Sequence, residues 1–257
     1  MDPGVSPPLV SERLALGVPS LDRLLGGGLE PECLTMLYGE GGSGKTNLCC
    51  LAAVRAVGKG RWVLYVDTEG LSLTRLGQFT HGQRQDLEFV LKHLLLTSPR
   101  SLEEQEVAVE NSVRLARERP HSIALVILDS ATLLYRLTLG SEDEGAARQS
   151  LSAQLANLLH LAIEEGIPVL LTTQVFRDAQ TERIEPIGGS FLMHAAKTVV
   201  RLERFPGGLR RATLVKHRSL PDGASVDFRL TDLGIEEVLT TGERISDRST
   251  ESLPRTP

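Results

Sequence analysis

The chain has 257 residues, of which 41% are hydrophobic and 24% are charged, and this balance is typical of a globular protein that buries a core of its own. The 28 basic and 33 acidic side chains give a net charge of −5, which argues against general attraction to nucleic acid, although a local basic loop can still bind it. No apolar run approaches the length of about 18 residues that a membrane helix needs, and the N-terminus lacks the basic and apolar regions of a signal peptide. We therefore expect a cytoplasmic protein with no membrane partner.

Short apolar runs rich in β-branched residues alternate with longer helical segments over most of the chain. The runs that we predict to be strands cover residues 34–38, 62–66, 94–96, 123–128 and 169–172. The segments that we predict to be helices cover residues 46–57, 102–117 and 146–165. Because these strands are apolar throughout rather than alternating, we expect both of their faces to be buried, in a mostly parallel α/β sheet flanked by helices.

The pattern changes after Gly189, where strands alternate with turns that contain proline and glycine. Residues 198–202, 210–216 and 225–230 are predicted to be strands, joined by turns at 206–208 and 221–223. These strands predict an antiparallel C-terminal extension of the sheet. We expect one domain over residues 12–239, between a flexible N-terminus at 1–11 and a disordered tail at 240–257, because neither end has a periodic apolar pattern.

A glycine-rich loop follows the first predicted strand and precedes the first predicted helix. Residues 39–46 fit the pattern G-x-x-x-x-G-K-[ST] of a phosphate-binding loop in the structural context that this pattern requires. In such a loop the backbone N–H groups surround the phosphates, the lysine reaches the β- and γ-phosphates, and the hydroxyl coordinates Mg²⁺. We therefore expect ATP and Mg²⁺ as ligands, held by Gly39, Glu40, Gly41, Gly42, Ser43, Gly44, Lys45, Thr46 and Asn47.

The same loop also satisfies the G-x-G-x-x-G fingerprint of dinucleotide-binding folds. Asp67, at the end of the second strand, would then bind a ribose hydroxyl. This alternative leaves Lys45 and Thr46 unexplained, and its acid comes later than the spacing of about 20 residues that the fingerprint prefers. A dinucleotide site is therefore the weaker interpretation.

A second acid marks the end of the buried run at 123–128. Asp129 comes directly after this run, so we expect its carboxylate beside the phosphate loop, as in a Walker B motif. There it would hold Mg²⁺, directly or through water, together with Thr46.

Besides the phosphate loop, the sequence contains Asp-Thr-Glu-Gly at 67–70, Thr-Gln-Val at 173–175 and Ile-Gly-Gly at 187–189. With these blocks the chain resembles the RecA-type recombinase family, and in particular the short archaeal paralogues known as RadB. Further matching segments lie at 17–28, 128–132 and 135–136, so the resemblance extends from about residue 12 to about 238. It implies a RecA-like P-loop ATPase core and an accessory role in homologous recombination and DNA repair.

The resemblance also implies roles for individual residues. Glu69 matches the glutamate that orients the attacking water, and Gln174 matches the sensor of the γ-phosphate, so that Glu69, Lys45 and Gln174 form the candidate catalytic set. Side chains two residues apart at the end of a strand point to the same face, so we expect Asp67 and Glu69 to point the same way. Asp67 is then either a second candidate or a structural partner of Glu69. Lys216 and Arg218 resemble a basic finger that, in KaiC-type relatives, reaches the ATP of a neighbouring subunit in a homo-oligomer.

The chain also departs from full recombinases in the regions that would contact DNA. The loop at 137–145 is acidic, and carboxylates repel phosphates. DNA contact would depend on a few arginines, for which Arg136, Arg177 and Arg183 are the candidates. We expect weak binding to single-stranded or branched DNA, association with a recombinase or another recombination protein, and weak DNA-linked ATP hydrolysis. The alternatives are a KaiC-like regulatory ATPase that signals to proteins without binding DNA, and an interaction module that binds nucleotide without hydrolysing it.

Overall fold

The computed structural model describes residues 12–58, 60–177 and 184–238. Its helices are α1 (Pro19–Leu24), α2 (Lys45–Val57), α3 (Leu73–Gly82), α4 (Leu87–His93), α5 (Leu102–Glu118), α6 (Leu133–Arg136), α7 (Glu144–Glu165) and α8 (Gly189–Ala195). Its strands are β1 (Leu34–Gly39), β2 (Trp62–Asp67), β3 (Leu94–Thr97), β4 (Ile123–Asp129), β5 (Val169–Thr173), β6 (Val175–Arg177), β7 (Ile184–Pro186), β8 (Thr198–Arg204), β9 (Leu209–Lys216), β10 (Ser225–Thr231) and β11 (Gly234–Glu237). The predicted flexible N-terminus at 1–11 and the predicted tail at 240–257 lie outside the described residues.

Nine of these strands form one mixed sheet in the order β11-β10-β9-β8-β1-β5-β4-β2-β3. The six strands from β8 to β3 in this order run parallel, and β9, β10 and β11 add an antiparallel extension. Strands β6 and β7 pair with each other in a separate hairpin. The predicted fold class is confirmed, and each predicted helix and strand is present with ends that differ by at most two residues.

The central strands are apolar throughout because the sheet has a hydrophobic core on each face. In β4, Leu125 and Ile127 belong to the core that includes buried side chains of α1, α2 and α3. Val126 and Leu128 belong to the other core, which includes buried side chains of α5 and α7. Successive side chains of a strand point to opposite faces, so a strand between two helical layers needs an apolar residue at every position.

Strand β3 departs from this rule, and the prediction that both of its faces are buried is wrong. Among the described strands, it is the last one of the sheet and pairs only with β2. Leu95 is half-buried and Leu96 is 41% exposed. The apolar run at 94–96 thus predicts the strand, but it does not predict that this strand is the outermost one of the sheet.

The strand order brings four carboxyl-terminal strand ends together at one edge of the sheet. Strands β1, β5, β4 and β2 are consecutive neighbours, and they end at Gly39, Thr173, Asp129 and Asp67. Ligands of open parallel sheets bind at this kind of edge. Within the described ranges, none of the helices is long and apolar enough to span a membrane.

Candidate functional site

The glycine-rich loop connects β1 directly to α2, and its backbone depends on glycine at two points. Gly44, immediately before α2, has φ of 107°, in the left-handed region that favours glycine. A Cβ atom at Gly39 would lie 2.2 Å from the carbonyl oxygen of Leu202 in β8. The loop can therefore pack closely against β8 and turn into the helix only with glycine at these positions.

Lys45 occupies the centre of this loop as a buried cation. Its side chain is 6% exposed, and its ammonium donates to the carbonyl oxygens of Gly39 at 2.8 Å and Glu40 at 3.1 Å. Burial lowers the pKa of Lys45, and the nearby carboxylates of Glu69 and Asp129 oppose this shift. The loop thus surrounds an ammonium group whose present partners are its own carbonyls.

Asp129 is fully buried at the end of β4, where hydroxyl groups surround its carboxylate. It accepts hydrogen bonds from Tyr65 at 2.8 Å and from Thr172 at 2.5 Å. Burial raises the pKa of Asp129, whereas hydrogen bonds from Thr172, Tyr65 and Thr46 act to lower it. The contact with Thr46 joins this acid to the first turn of α2.

Glu69 and Gln174 contact each other across the strand ends. The Gln174 amide nitrogen Nε2 donates to Glu69 Oε1 at 2.9 Å. The other amide atom of Gln174, Oε1, is buried and has no hydrogen-bond partner among the described residues. Glu69 itself is exposed to solvent. The pair therefore combines an accessible carboxylate with an amide that has an unused acceptor.

Asp67 has a structural role that the sequence analysis left open. It is 4% exposed, and it accepts the backbone N–H groups of Glu69, Gly70 and Leu71 at 3.1, 2.9 and 2.6 Å. The strand ends at Asp67, so the expectation that Asp67 and Glu69 point the same way is wrong. Asp67 closes the turn that carries Glu69, and its three backbone partners leave little acceptor capacity for a ribose.

A cavity of about 360 Å³ brings most of the candidate residues together. It is lined by Gly39, Glu40, Gly41, Gly42, Gly44, Lys45, Thr46, Asn47, Glu69, Arg136, Gln174, Val175, Phe176 and Ile184. Of the candidates for phosphate and Mg²⁺ binding, Ser43 and Asp129 do not line it. Ser43 is buried with its hydroxyl against Gly39, and Asp129 is buried behind Thr46. The cavity has the phosphate loop on one side and the β6–β7 hairpin on the other.

Arg75 is a residue of this site that the sequence analysis missed. Its Nε donates to the Asn47 side chain at 2.6 Å, and one of its terminal nitrogens donates to the Thr231 carbonyl oxygen at 2.6 Å. The guanidinium also lies 4.7 Å from the centre of the Phe79 ring. Arg75 therefore connects the phosphate-loop helix to β10, and no local pattern marks this role because Asn47 and Thr231 are distant from Arg75 in sequence.

The candidate DNA contacts are described only in part. Arg136 is exposed and lines the cavity. The Arg177 side chain and Arg183 lie outside the described residues. In the acidic loop, Glu144 accepts the backbone N–H of Gly140 at 2.8 Å, so one of its carboxylates stabilises the loop itself.

The two candidate finger residues are bound within their own chain. Lys216 donates to the carbonyl oxygens of Met193 and Ala196 at 2.7 and 2.8 Å, at the C-terminus of α8. Arg218 pairs with buried Glu30 at 2.8 Å. Glu30 precedes β1, so this ion pair lies at the sheet edge opposite to the phosphate loop. Both cations therefore have structural partners within their own chain, and neither of them lines the cavity.

Comparisons with known proteins agree with this fold. A family model described as Rad51 matches residues 11–238. The chain is 38% identical over 227 residues to "DNA repair and recombination protein RadB" of Methanococcoides burtonii, with 88% of this chain and 98% of that protein covered. The protein of the same name from Thermoplasma acidophilum is 40% identical over 223 residues, with 87% and 93% covered.

A solved structure gives the same result. The "Crystal structure of the RadB recombinase" aligns with a TM-score of 0.76 at 36% identity, covering 88% of this chain and 100% of that chain. Family model, relatives and structure each cover nearly nine-tenths of the sequence. The chain therefore belongs to the Rad51 family and, within it, to the archaeal RadB proteins of DNA repair and recombination.

Proposed function

We propose that this chain is an Mg-ATP-binding accessory factor in homologous recombination and DNA repair. In this proposal it hydrolyses ATP weakly, and its nucleotide state controls association with DNA or with a recombination partner. The observation that carries the proposal is the contact between Glu69 and Gln174 at the wall of the phosphate-loop cavity. This contact puts a carboxylate that can act on water beside an amide that can respond to a phosphate.

The residues of the cavity fit ATP and Mg²⁺. Within the described residues, the Lys45 ammonium is bound only to loop carbonyls, and phosphate oxygens could replace these as stronger, charged acceptors. Thr46 supplies a hydroxyl at the cavity wall, and Asp129 behind it supplies a carboxylate, which is the oxygen-rich set that Mg²⁺ prefers. Because Asp129 is buried, it would act through Thr46 or a water molecule. When bound, Mg²⁺ would neutralise charge on the phosphates.

Each polar side chain of the cavity then has one task. Lys45 and the loop N–H groups hold the phosphates in place. Glu69 accepts a hydrogen bond from the attacking water and takes up its proton. The Gln174 amide nitrogen carries two hydrogens, so it can donate one to Glu69 and the other to the terminal phosphate, and in this way link the two.

The β6–β7 hairpin supports a link from nucleotide to partner. It follows Gln174 directly, and Phe176 and Ile184 line the cavity while being 45% and 37% exposed. A nucleotide in the cavity would therefore lie against a hairpin that also faces solvent. DNA or a partner protein that binds this hairpin would respond to the presence of the γ-phosphate.

The test measures nucleotide binding, ATP turnover and DNA binding for the same set of variants. We expect Lys45→Ala to abolish nucleotide binding, and Glu69→Gln to retain binding but lose turnover. Glu110→Gln, which changes an exposed glutamate on α5, is the matched control and should behave as the parent. Unchanged turnover in Glu69→Gln would contradict the role of Glu69.

DNA binding is measured at two salt concentrations, with and without Mg-ATP. We expect nucleotide-dependent binding that weakens with salt and is reduced in Arg136→Ala. The acidic loop at 137–145 favours the second candidate, a regulatory ATPase that acts on proteins alone. That function predicts intact nucleotide binding with no DNA binding in any nucleotide state.

A further inference from the structure

Two buried threonine hydroxyls join the turn after Asp129 to the base of the β6–β7 hairpin. Thr132 and Thr173 are 0% and 1% exposed, and their Oγ1 atoms lie 2.8 Å apart. Thr132 follows β4, whereas Thr173 is the last residue of β5 and precedes Gln174. We call these two residues the threonine pair.

The threonine pair contacts both ends of the segment that contains the hairpin. Thr132 Oγ1 accepts the backbone N–H of Gln174 at 3.3 Å. Thr173 Oγ1 lies 3.0 Å from the carbonyl oxygen of Gln174 and 3.0 Å from that of Ile187. The Ile187 N–H in turn donates to the Gln174 carbonyl at 2.8 Å. The hairpin thus begins and ends at one buried group of hydrogen bonds.

The number of protons determines how these bonds are shared. Each hydroxyl has one hydrogen to donate and can accept in addition. The largest number of bonds forms when Thr132 donates to Thr173 and Thr173 donates to a carbonyl. Thr173 then has one hydrogen for two carbonyls at equal distance, and it can bind either the entry or the exit of the hairpin.

The turn after Asp129 also contacts the residue beside Glu69. The Thr68 hydroxyl donates to the Ser130 carbonyl at 3.0 Å and accepts the Ser130 N–H at 2.9 Å. Through this turn, the threonine pair is connected to the β2 end that carries Glu69. The neighbours of both members of the Glu69–Gln174 contact are therefore held by a single buried turn.

We propose that Thr132 and Thr173 are positioning residues that couple the γ-phosphate to the β6–β7 hairpin. This proposal rests on the proposed function of the nucleotide site. When Gln174 moves toward a phosphate, the backbone N–H and carbonyl of Gln174 move with it. The hydroxyl hydrogen of Thr173 is then shared differently between the carbonyl oxygens of Gln174 and Ile187. The coupling thus passes through the hydroxyl groups rather than through the packing of the threonine methyl groups.

The variants are chosen to separate the hydroxyls from packing. Thr132→Val and Thr173→Val keep the volume and remove the hydroxyl, and Thr132→Ser keeps the hydroxyl. Thr198→Val is the matched control, because Thr198 is 2% exposed and its hydroxyl has no hydrogen-bond partner in the part of the chain that the structure describes. Hydrogen exchange of the Gln174 and Ile187 amides is measured with and without Mg-ATPγS, and nucleotide affinity is measured for every variant.

In the parent, we expect Mg-ATPγS to change exchange at these amides by about tenfold, as expected when a hydrogen bond changes partners. Both valine variants should lose most of this response while binding nucleotide with an affinity within about twofold of the parent. Thr198→Val and Thr132→Ser should keep the response. A purely structural role would speed exchange equally with and without nucleotide.

The outcomes distinguish this proposal from the proposed function. A full response to Mg-ATPγS in Thr132→Val and Thr173→Val, or no response in a parent that binds nucleotide, would overturn the role of the threonine pair alone. A parent that does not bind Mg-ATPγS would refute the proposed function and this proposal with it. If either valine variant fails to fold, loss of the response in the other one, with retention in Thr132→Ser, still supports the coupling.

Discussion

Replacing Asp67 with Asn removes one acceptor from the turn that positions Glu69. Oδ1 of Asp67 accepts the N–H groups of Glu69 and Gly70, and Oδ2 accepts the N–H of Leu71 at 2.6 Å. An asparagine can direct its oxygen at the first two groups, but its NH₂ then faces the Leu71 N–H. A hydrogen bond to a charged group contributes about 1.5–3 kcal/mol, so we expect Asp67→Asn to lower the free energy of unfolding by about 2 kcal/mol.

Urea unfolding followed by the fluorescence of Trp62 measures this change, since Trp62 is the one tryptophan of the sequence and lies in β2 with Asp67. Asp143→Asn is the control. Asp143 is exposed and its side chain does not cap α7, so its replacement should change the free energy of unfolding by less than about 0.5 kcal/mol. Equal stability of the two variants would refute the structural role that we assign to Asp67.

Two further predictions concern the sheet edge opposite to the phosphate loop. Burial, together with Arg13 and Arg218, lowers the pKa of His217 below its usual 6.5 despite the opposing effect of Glu30, and His217 Nδ1 accepts the N–H groups of its neighbours. The unfolded chain therefore takes up this proton first, so the free energy of unfolding should fall as the pH drops below about 6.5, and less so in His217→Gln. Arg218→Gln should lower the free energy of unfolding by about 1 kcal/mol or less and leave ATP turnover unchanged. If Arg218→Gln instead lost turnover at normal stability, the result would support the prediction that Arg218 reaches the ATP of a neighbouring subunit.

The phosphate loop and Asp129 could be predicted from the sequence because neighbouring residues in the chain mark each of them. The phosphate loop is a contiguous pattern between a strand and a helix, and Asp129 comes directly after a buried apolar run. The short helices α3 and α4 were missed. α3 contains Gly77 and ends at Gly82, which weakens its helical pattern, although Ser72 and Asp86 cap the two helices and could have indicated their starts.

Contacts between distant segments could not be predicted in the same way. Asp67 and Glu69 are two acids two residues apart in the sequence, and only the end of β2 at Asp67 separates the role of Asp67 from that of Glu69. Lys216 and Arg218 form a basic cluster in the sequence, but their partners belong to α8 and to the segment before β1. A cationic pattern carries no information about which acceptors the folded chain supplies.

Strand order also sets the length of the side chains that the candidate site needs. Glu69 follows β2 and Gln174 follows β5, with β4 between them, so their backbones are separated by two strand spacings of about 4.8 Å each. Two long side chains cross this gap to meet at 2.9 Å. Gln174→Asn keeps the amide but is shorter by one methylene group, so it should lose the contact with Glu69 and its reach toward a γ-phosphate.

We therefore expect Gln174→Asn to bind ADP as the parent does but to discriminate less between ATPγS and ADP. One hydrogen bond to a charged phosphate is worth about 1.5–3 kcal/mol, so the ratio of the two affinities should fall by about tenfold or more. Gln78→Asn is the control, because Gln78 on α3 binds Arg75 and does not line the cavity. An unchanged ratio in Gln174→Asn would mean that the γ-phosphate is recognised by the phosphate loop alone, and the contact with Glu69 would then have no part in sensing the nucleotide.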